Sequence, residues 1–156
     1  MTMKSARLAF AIATAMLAVP AAGQSSPSFL AGDYWSRQSL SLDQEKVRGL
    51  LENGKVEAAL ARLAPMAERG DAWAQAVLGA ELYKRGDARA LYWIEAAATQ
   101  GHAPSALFMG VAYATGQGFD RDPAIAKGWL LLAARRGDRV VIRDAHRIMR
   151  QLDKIS

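Results

Sequence analysis

The residues with the most chemical promise lie together in the stretch ATGQGFDRD, Ala114 to Asp122. Gly116 and Gly118 stand one residue apart, and Asp120 and Asp122 flank Arg121. Such a loop could cradle a phosphate, hold a metal or turn a corner. A Walker-type phosphate loop needs a lysine and then Ser or Thr after its glycines, and a dinucleotide loop needs a third glycine after a strand. Neither pattern occurs here. A calcium loop needs an acid near its twelfth position, which this stretch lacks. A turn, by contrast, uses every residue. Gly116 closes a helix, Gly118 permits a tight bend and Phe119 plugs the crevice between helices. Asp122 caps the helix that Pro123 opens.

The other reactive residue types are sparse. His102 and His146 lie far apart in sequence with no acid cluster beside them, whereas a zinc site takes three or four ligands. His102 follows Gly101 at the start of a helix and reads as a surface residue. There is no cysteine, which excludes disulfides, thiolate metal sites and a cysteine nucleophile. No Ser-x-x-Lys pair is present. Tyr83, Tyr92, Trp93, Phe108, Tyr113 and Trp129 are spaced as core residues, not as a platform for stacking bases. The expectation is no catalytic residue, no cofactor, no metal and no nucleic-acid partner.

The elements that position these residues are helices. The chain has 156 residues, of which 51% are hydrophobic, enough for one domain with a core. Its first part differs from the rest. MTMKSAR carries Lys4 and Arg7, Leu8 to Ala21 is apolar except for Thr14 and Pro20, and AVPAAGQSS is rich in small residues. This is the layout of a secretory signal peptide over residues 1–23, cut after Ala21, Ala22 or Gly23. The apolar run is shorter than the roughly 20 residues a membrane helix needs, although an uncleaved anchor is the alternative. Loss of Lys4 and Arg7 would lower the formal charge from +5 to +3. Residues 24–41 read as a tether whose Phe29, Leu30, Tyr34 and Trp35 could dock on the first helices.

From residue 42 to residue 153, helical periodicity predicts about seven helices: Leu42 to Glu52, Lys55 to Arg69, Asp71 to Arg85, Ala88 to Gln100, Ala103 to Thr115, Pro123 to Arg136 and Asp138 to Asp153. Gly70, Gly86, Gly101, Gly116 and Gly137 follow their ends, and left-handed glycines there would close the last turns. The helices repeat. Gly70, Ala72 and Leu78-Gly79 recur 31 residues later as Gly101, Ala103 and Met109-Gly110. Ala90, Trp93, Ala97-Ala98 and Gly101 recur 36 residues later as Ala126, Trp129, Ala133-Ala134 and Gly137. The five extra residues enter in the ATGQGFDRD loop. Repeats of this length indicate a stacked α-solenoid. Facing Ala and Gly positions let backbones approach, and Trp93 and Trp129 are expected to fill space under the next helix pair.

GDAWAQAVLGAELY, Gly70 to Tyr83, and GQGFDRDPAIAKGWLLLAARRG, Gly116 to Gly137, resemble the two halves of the Sel1-like repeat. This tetratricopeptide-related helical pair is common in exported bacterial proteins. The likeness extends over about Lys55 to Gly137. It implies an all-α short solenoid and an adaptor that binds other proteins, though fold alone does not fix activity. The first unit departs from the pattern by turning with KRGD, and the last helix has lost its Leu-Gly pair, as terminal caps do. In related solenoids the first helix of each pair lines the concave side. That places Trp73, Gln75, Glu81, Lys84, Ser105 and Ala112 as expected protein contacts.

The last helix adds a second candidate surface. Arg139, Arg143, Arg147, Arg150 and Lys154 fall at helical steps and form one basic stripe, opposite Val141, Ala145, Ile148 and Leu152. The stripe is either the solvated outside of a capping helix or a contact for an anionic partner, an acidic protein surface, a lipid head group or a cell-wall polymer, with Arg139, Arg143, Arg147 and Arg150 as expected protein contacts. The expected function is an exported, non-catalytic adaptor or scaffold that binds another protein in the bacterial cell envelope, in the periplasm or outside the cell. The alternative is an envelope enzyme, or a protein that binds a small ligand or cell-wall polymer through the basic helix.

Overall fold

A computed structural model describes residues 40–154. The leader and tether expected at residues 1–23 and 24–41 fall outside these residues, apart from Leu40 and Ser41. The described chain forms seven α-helices: α1 Leu42–Glu52, α2 Val56–Glu68, α3 Ala72–Lys84, α4 Ala90–Thr99, α5 Ala103–Thr115, α6 Pro123–Arg136 and α7 Arg139–Asp153. Each packs on the next in the chain, and α5 also contacts α7. Helices α1, α3, α5 and α7 thus form one layer of a short solenoid, with α2, α4 and α6 in the other.

Five of the seven described helices begin at side-chain caps, while α2 and α4 begin without one. Ser41 and Gln44 form a reciprocal capping box at α1. Asp71 accepts from the Ala74 amide at α3, and both its oxygens accept from Gln44 Nε2 at 3.2 and 3.0 Å, tying α1 to α3. Asp138 caps α7 through the amides of Val140 and Val141. The helices end as their glycines suggest at Gly70, Gly86, Gly101 and Gly116, where φ is 89°, 70°, 86° and 80°. Gly137 is the exception, with φ −80° and ψ 167°. Its glycine serves close approach instead: a Cβ there would lie 2.5 Å from Val141 Cβ and 2.8 Å from the Ala133 carbonyl oxygen.

The repeat in sequence is a repeat in packing. A Cβ on Gly79 would come 2.7 Å from Ile94 Cγ1 and 3.1 Å from the Ala90 carbonyl oxygen. One unit later, a Cβ on Gly110 would come 2.7 Å from Leu130 Cδ2 and 3.2 Å from the Ala126 carbonyl oxygen. The pair separations of 31 and 36 residues therefore bring equivalent atoms together in α3/α4 and in α5/α6. Two apolar clusters result. The N-terminal one is built around Val47, Ala59, Leu63, Trp73 and Leu82. The C-terminal one is built around Leu107, Met109, Leu130, Ile148 and Leu152. Trp129 packs on the C-terminal cluster, but Trp93 packs back on the N-terminal cluster and not forward under the next pair.

Candidate functional site

The ATGQGFDRD loop is a structural turn. Gly116 and Gly118 take φ of 80° and 78°, and Gly118 lies against Leu91, where a Cβ would be 2.4 Å from Cδ1. Phe119 stacks on Tyr113 of α5, with ring centres 4.5 Å apart and planes 15° apart. Arg121 Nε donates to the Ala114 carbonyl at 3.0 Å, and the Asp122 amide donates to the Tyr113 carbonyl at 2.9 Å. Asp122 Oδ1 accepts from the amides of Ala124 and Ile125 at 2.8 and 2.9 Å, which makes it the N-cap of α6. Gln117 Nε2 donates to the Tyr83 hydroxyl, so the loop is tied to the preceding unit. The Asp122 carboxylate is thus held at the start of α6 by the amides it accepts from.

His102 does not sit on the surface. It is 8% exposed and forms the N-cap of α5, with Nδ1 accepting from the Ser105 amide at 3.3 Å and lying 2.9 Å from Ser105 Oγ. Burial pushes its pKa down to about 4, so the ring is neutral at pH 7. The pair resembles a serine activated by histidine, yet Ser105 is buried and the imidazole nitrogen facing it already serves the cap. His146 is exposed on α7, and among the described residues no three His, Asp or Glu side chains are grouped to hold a metal. A depression of about 290 Å³ between α1 and α2 is lined by Lys46, Gly49, Leu50, Asn53, Lys55 and Arg62, with no carboxylate.

Most of the contacts expected on the first helices are not surface residues. Trp73, Gln75, Ser105 and Ala112 are buried. Gln75 donates to the Ala67 carbonyl at 3.1 Å and accepts from Gln100 at 2.6 Å, so its amide links α2, α3 and the end of α4. Trp73 packs in the N-terminal cluster, and its buried indole N–H meets no acceptor. Glu81 is mostly buried and pairs with the more exposed Lys84 at 2.6 Å. The reason is compositional: α3 and α5 carry apolar or small residues all round, so their sequence does not reveal which side faces out.

The last helix behaves as its sequence predicts. Val141, Ala145, Ile148 and Leu152 are buried. Arg139, Arg143, Arg147, Arg150 and Lys154 are exposed along the opposite face, with the exposed His146 among them. Asp144, 13% exposed at its side chain, accepts from Arg143 at 3.2 Å and lies 3.5 Å from Arg147. Lys127 pairs with Asp153 at 2.6 Å and pins the end of α7 to α6. Asp144 therefore partly offsets the middle of the stripe, while cations at both ends face solvent.

No described helix is long and apolar enough to cross a membrane. No curated protein and no solved structure matches the chain at a significant level. The family described as Sel1 repeat does match, once over residues 74–102 and once over 103–138. Those two spans are the α3/α4 and α5/α6 pairs with their equivalent glycine contacts, so the chain carries two Sel1 repeats.

Proposed function

We propose that this chain is an exported, non-catalytic adaptor that binds another protein in the bacterial cell envelope. Sel1 repeats generally mediate protein–protein interaction, and the family is generally non-catalytic. The observation that carries the reading is the exposed basic face of α7 at the end of the array. Arg139, Arg143, Arg147 and Arg150 rise along about 17 Å of helix, at 1.5 Å per residue. A row of guanidinium groups suits bidentate contact with carboxylates on a protein partner. The export reading rests on the sequence of residues 1–23, with its cationic start, apolar run and small-residue end.

The test is affinity capture from envelope extract with wild-type chain and with the Arg139→Glu/Arg143→Glu/Arg147→Glu variant. The stripe lies on the solvent face, so the variant should keep its helix content. The wild type should retain partners that the variant loses, and that salt elutes. An identical set of partners for both would remove the stripe from the function. Retention of an anionic polymer in place of a protein would favour the cell-wall-polymer reading.

A further inference from the structure

Helices α3, α5 and α7 correspond position by position when counted from their N-caps, Asp71, His102 and Asp138. The eighth residue after the cap is Gly79 on α3, Gly110 on α5 and His146 on α7. On α3 and α5 this position faces the second helix of the pair: a Cβ on Gly79 would meet Ile94 and Ala90, and one on Gly110 would meet Leu130 and Ala126. The first, fifth and twelfth residues after the cap lie within about 60° of the eighth, at 100° per residue. They are Ala72, Ala76 and Tyr83 on α3, and Ala103, Leu107 and Ala114 on α5. On α7 they are Arg139, Arg143 and Arg150, all exposed, with Arg147 at the border. The opposite face of α7 is buried through Val141, Ala145, Ile148 and Leu152, and the helix packs on α5 and α6. The basic stripe is therefore the side on which α3 and α5 each receive a second helix.

We infer that the partner supplies this second helix to α7, and that the helix is acidic. The inference rests on the adaptor reading of the stripe and names the partner's chemistry. On α4 the buried positions include Ala90, Ile94 and Ala97, and on α6 they are Ala126, Leu130 and Ala133, at i, i+4 and i+7 in both. A helix seated in the same way on α7 presents carboxylates at that spacing to the guanidinium groups. It runs antiparallel to α7, as helices joined by short loops do in the two complete pairs. The stripe from Arg139 to Arg150 covers about 17 Å, so about three turns of partner helix suffice. His146, in place of glycine, keeps the two backbones further apart, and long Arg and Glu side chains bridge the gap. Nowhere in the 156 residues do two acids stand four apart. Neither another segment of them nor a second copy carries the complementary face.

The test titrates the full chain with alanine-rich peptides of about 15 residues and equal composition. One carries glutamates at i, i+4, i+7 and i+11 on a single face, and the other spreads them round the helix. The single-face peptide should bind at least about tenfold more tightly, and salt should weaken it. A nitroxide on its N-terminus should broaden the amide signals of residues 148–153 and spare those of residues 138–142. Arg143→Glu/Arg147→Glu should lose this peptide and bind its glutamate-to-lysine counterpart instead, which also shows that the variant folds. Equal affinity for both peptides would overturn the acidic helix and leave the stripe a general anion contact, with the adaptor reading intact. Broadening at residues 138–142 would overturn the pairing. So would capture by phosphatidylglycerol vesicles with no binding of the single-face peptide, which assigns the stripe to a lipid surface. If the single-face peptide binds as expected while envelope partners ignore stripe reversal, the docking site stands and the adaptor reading fails.

Discussion

His102 makes the stability of the array depend on pH in a window set by its burial. The perturbation is protonation of an imidazole that is neutral when folded. Its pKa is about 4 in the folded chain against 6.5 for the free group, with burial as the cause. The folded state therefore binds fewer protons than the unfolded state between these values, and stability falls as pH drops through the window. The full contribution is present above pH 6.5 and is lost by about pH 4. At 1.36 kcal/mol per unit, the displacement is worth about 3 kcal/mol. Protonation at Nδ1 also ends its acceptance of the Ser105 amide, and the Arg136 guanidinium beside Gly101 places another cation nearby. The comparison is His102→Asn, which keeps a capping acceptor and cannot titrate. Urea unfolding of both proteins from pH 7.5 to pH 4 gives the difference, from which the carboxylates common to both cancel. The wild type should lose about 3 kcal/mol relative to the variant. Parallel curves, whatever their offset, would refute the reasoning.

Three further outcomes follow from contacts in the array. Gly110→Ala puts a Cβ 2.7 Å from Leu130 and should cost about 1–3 kcal/mol, whereas Gly128→Ala meets nothing within 4 Å and should be neutral or stabilising by up to about 1 kcal/mol; thermal melts separate the two. Asp122→Ala removes the acceptor for two α6 amides and should cost about 1 kcal/mol in urea unfolding. Trp73→Phe removes a buried N–H that has no acceptor and should shift stability by less than about 1 kcal/mol, whereas Trp73→Ala should cost about 3–5 kcal/mol.

The parts legible in the sequence are those with contrast between faces or fixed backbone demands. Helix α7 sets arginines against Val141, Ala145, Ile148 and Leu152, and it folds with those faces out and in. The glycines at 79 and 110 mark helix pairing because equivalent atoms meet there. Asp122 before Pro123 announces a helix start that the amide contacts match. Helices α3 and α5 offer no such contrast, so sequence alone points Trp73, Gln75, Ser105 and Ala112 outward, whereas packing holds them in. His102 differs from its sequence expectation for a related reason. A polar residue at a helix start reads as solvated, but here the N-terminus of α5 is itself inside the array. Gly137 follows a helix end like the other four glycines, yet it is chosen by the proximity of Val141 and not by φ.

Tyr83 packs on both apolar clusters, meets Phe108 with its ring edge and takes a hydrogen bond from Gln117 through its hydroxyl. It is therefore a rivet across the seam between two cores. In a linear array each unit is stabilised by its neighbours, so cooperativity depends on what couples one unit to the next. Loosening this rivet would let the α1–α3 end melt ahead of the rest, turning a single unfolding step into two.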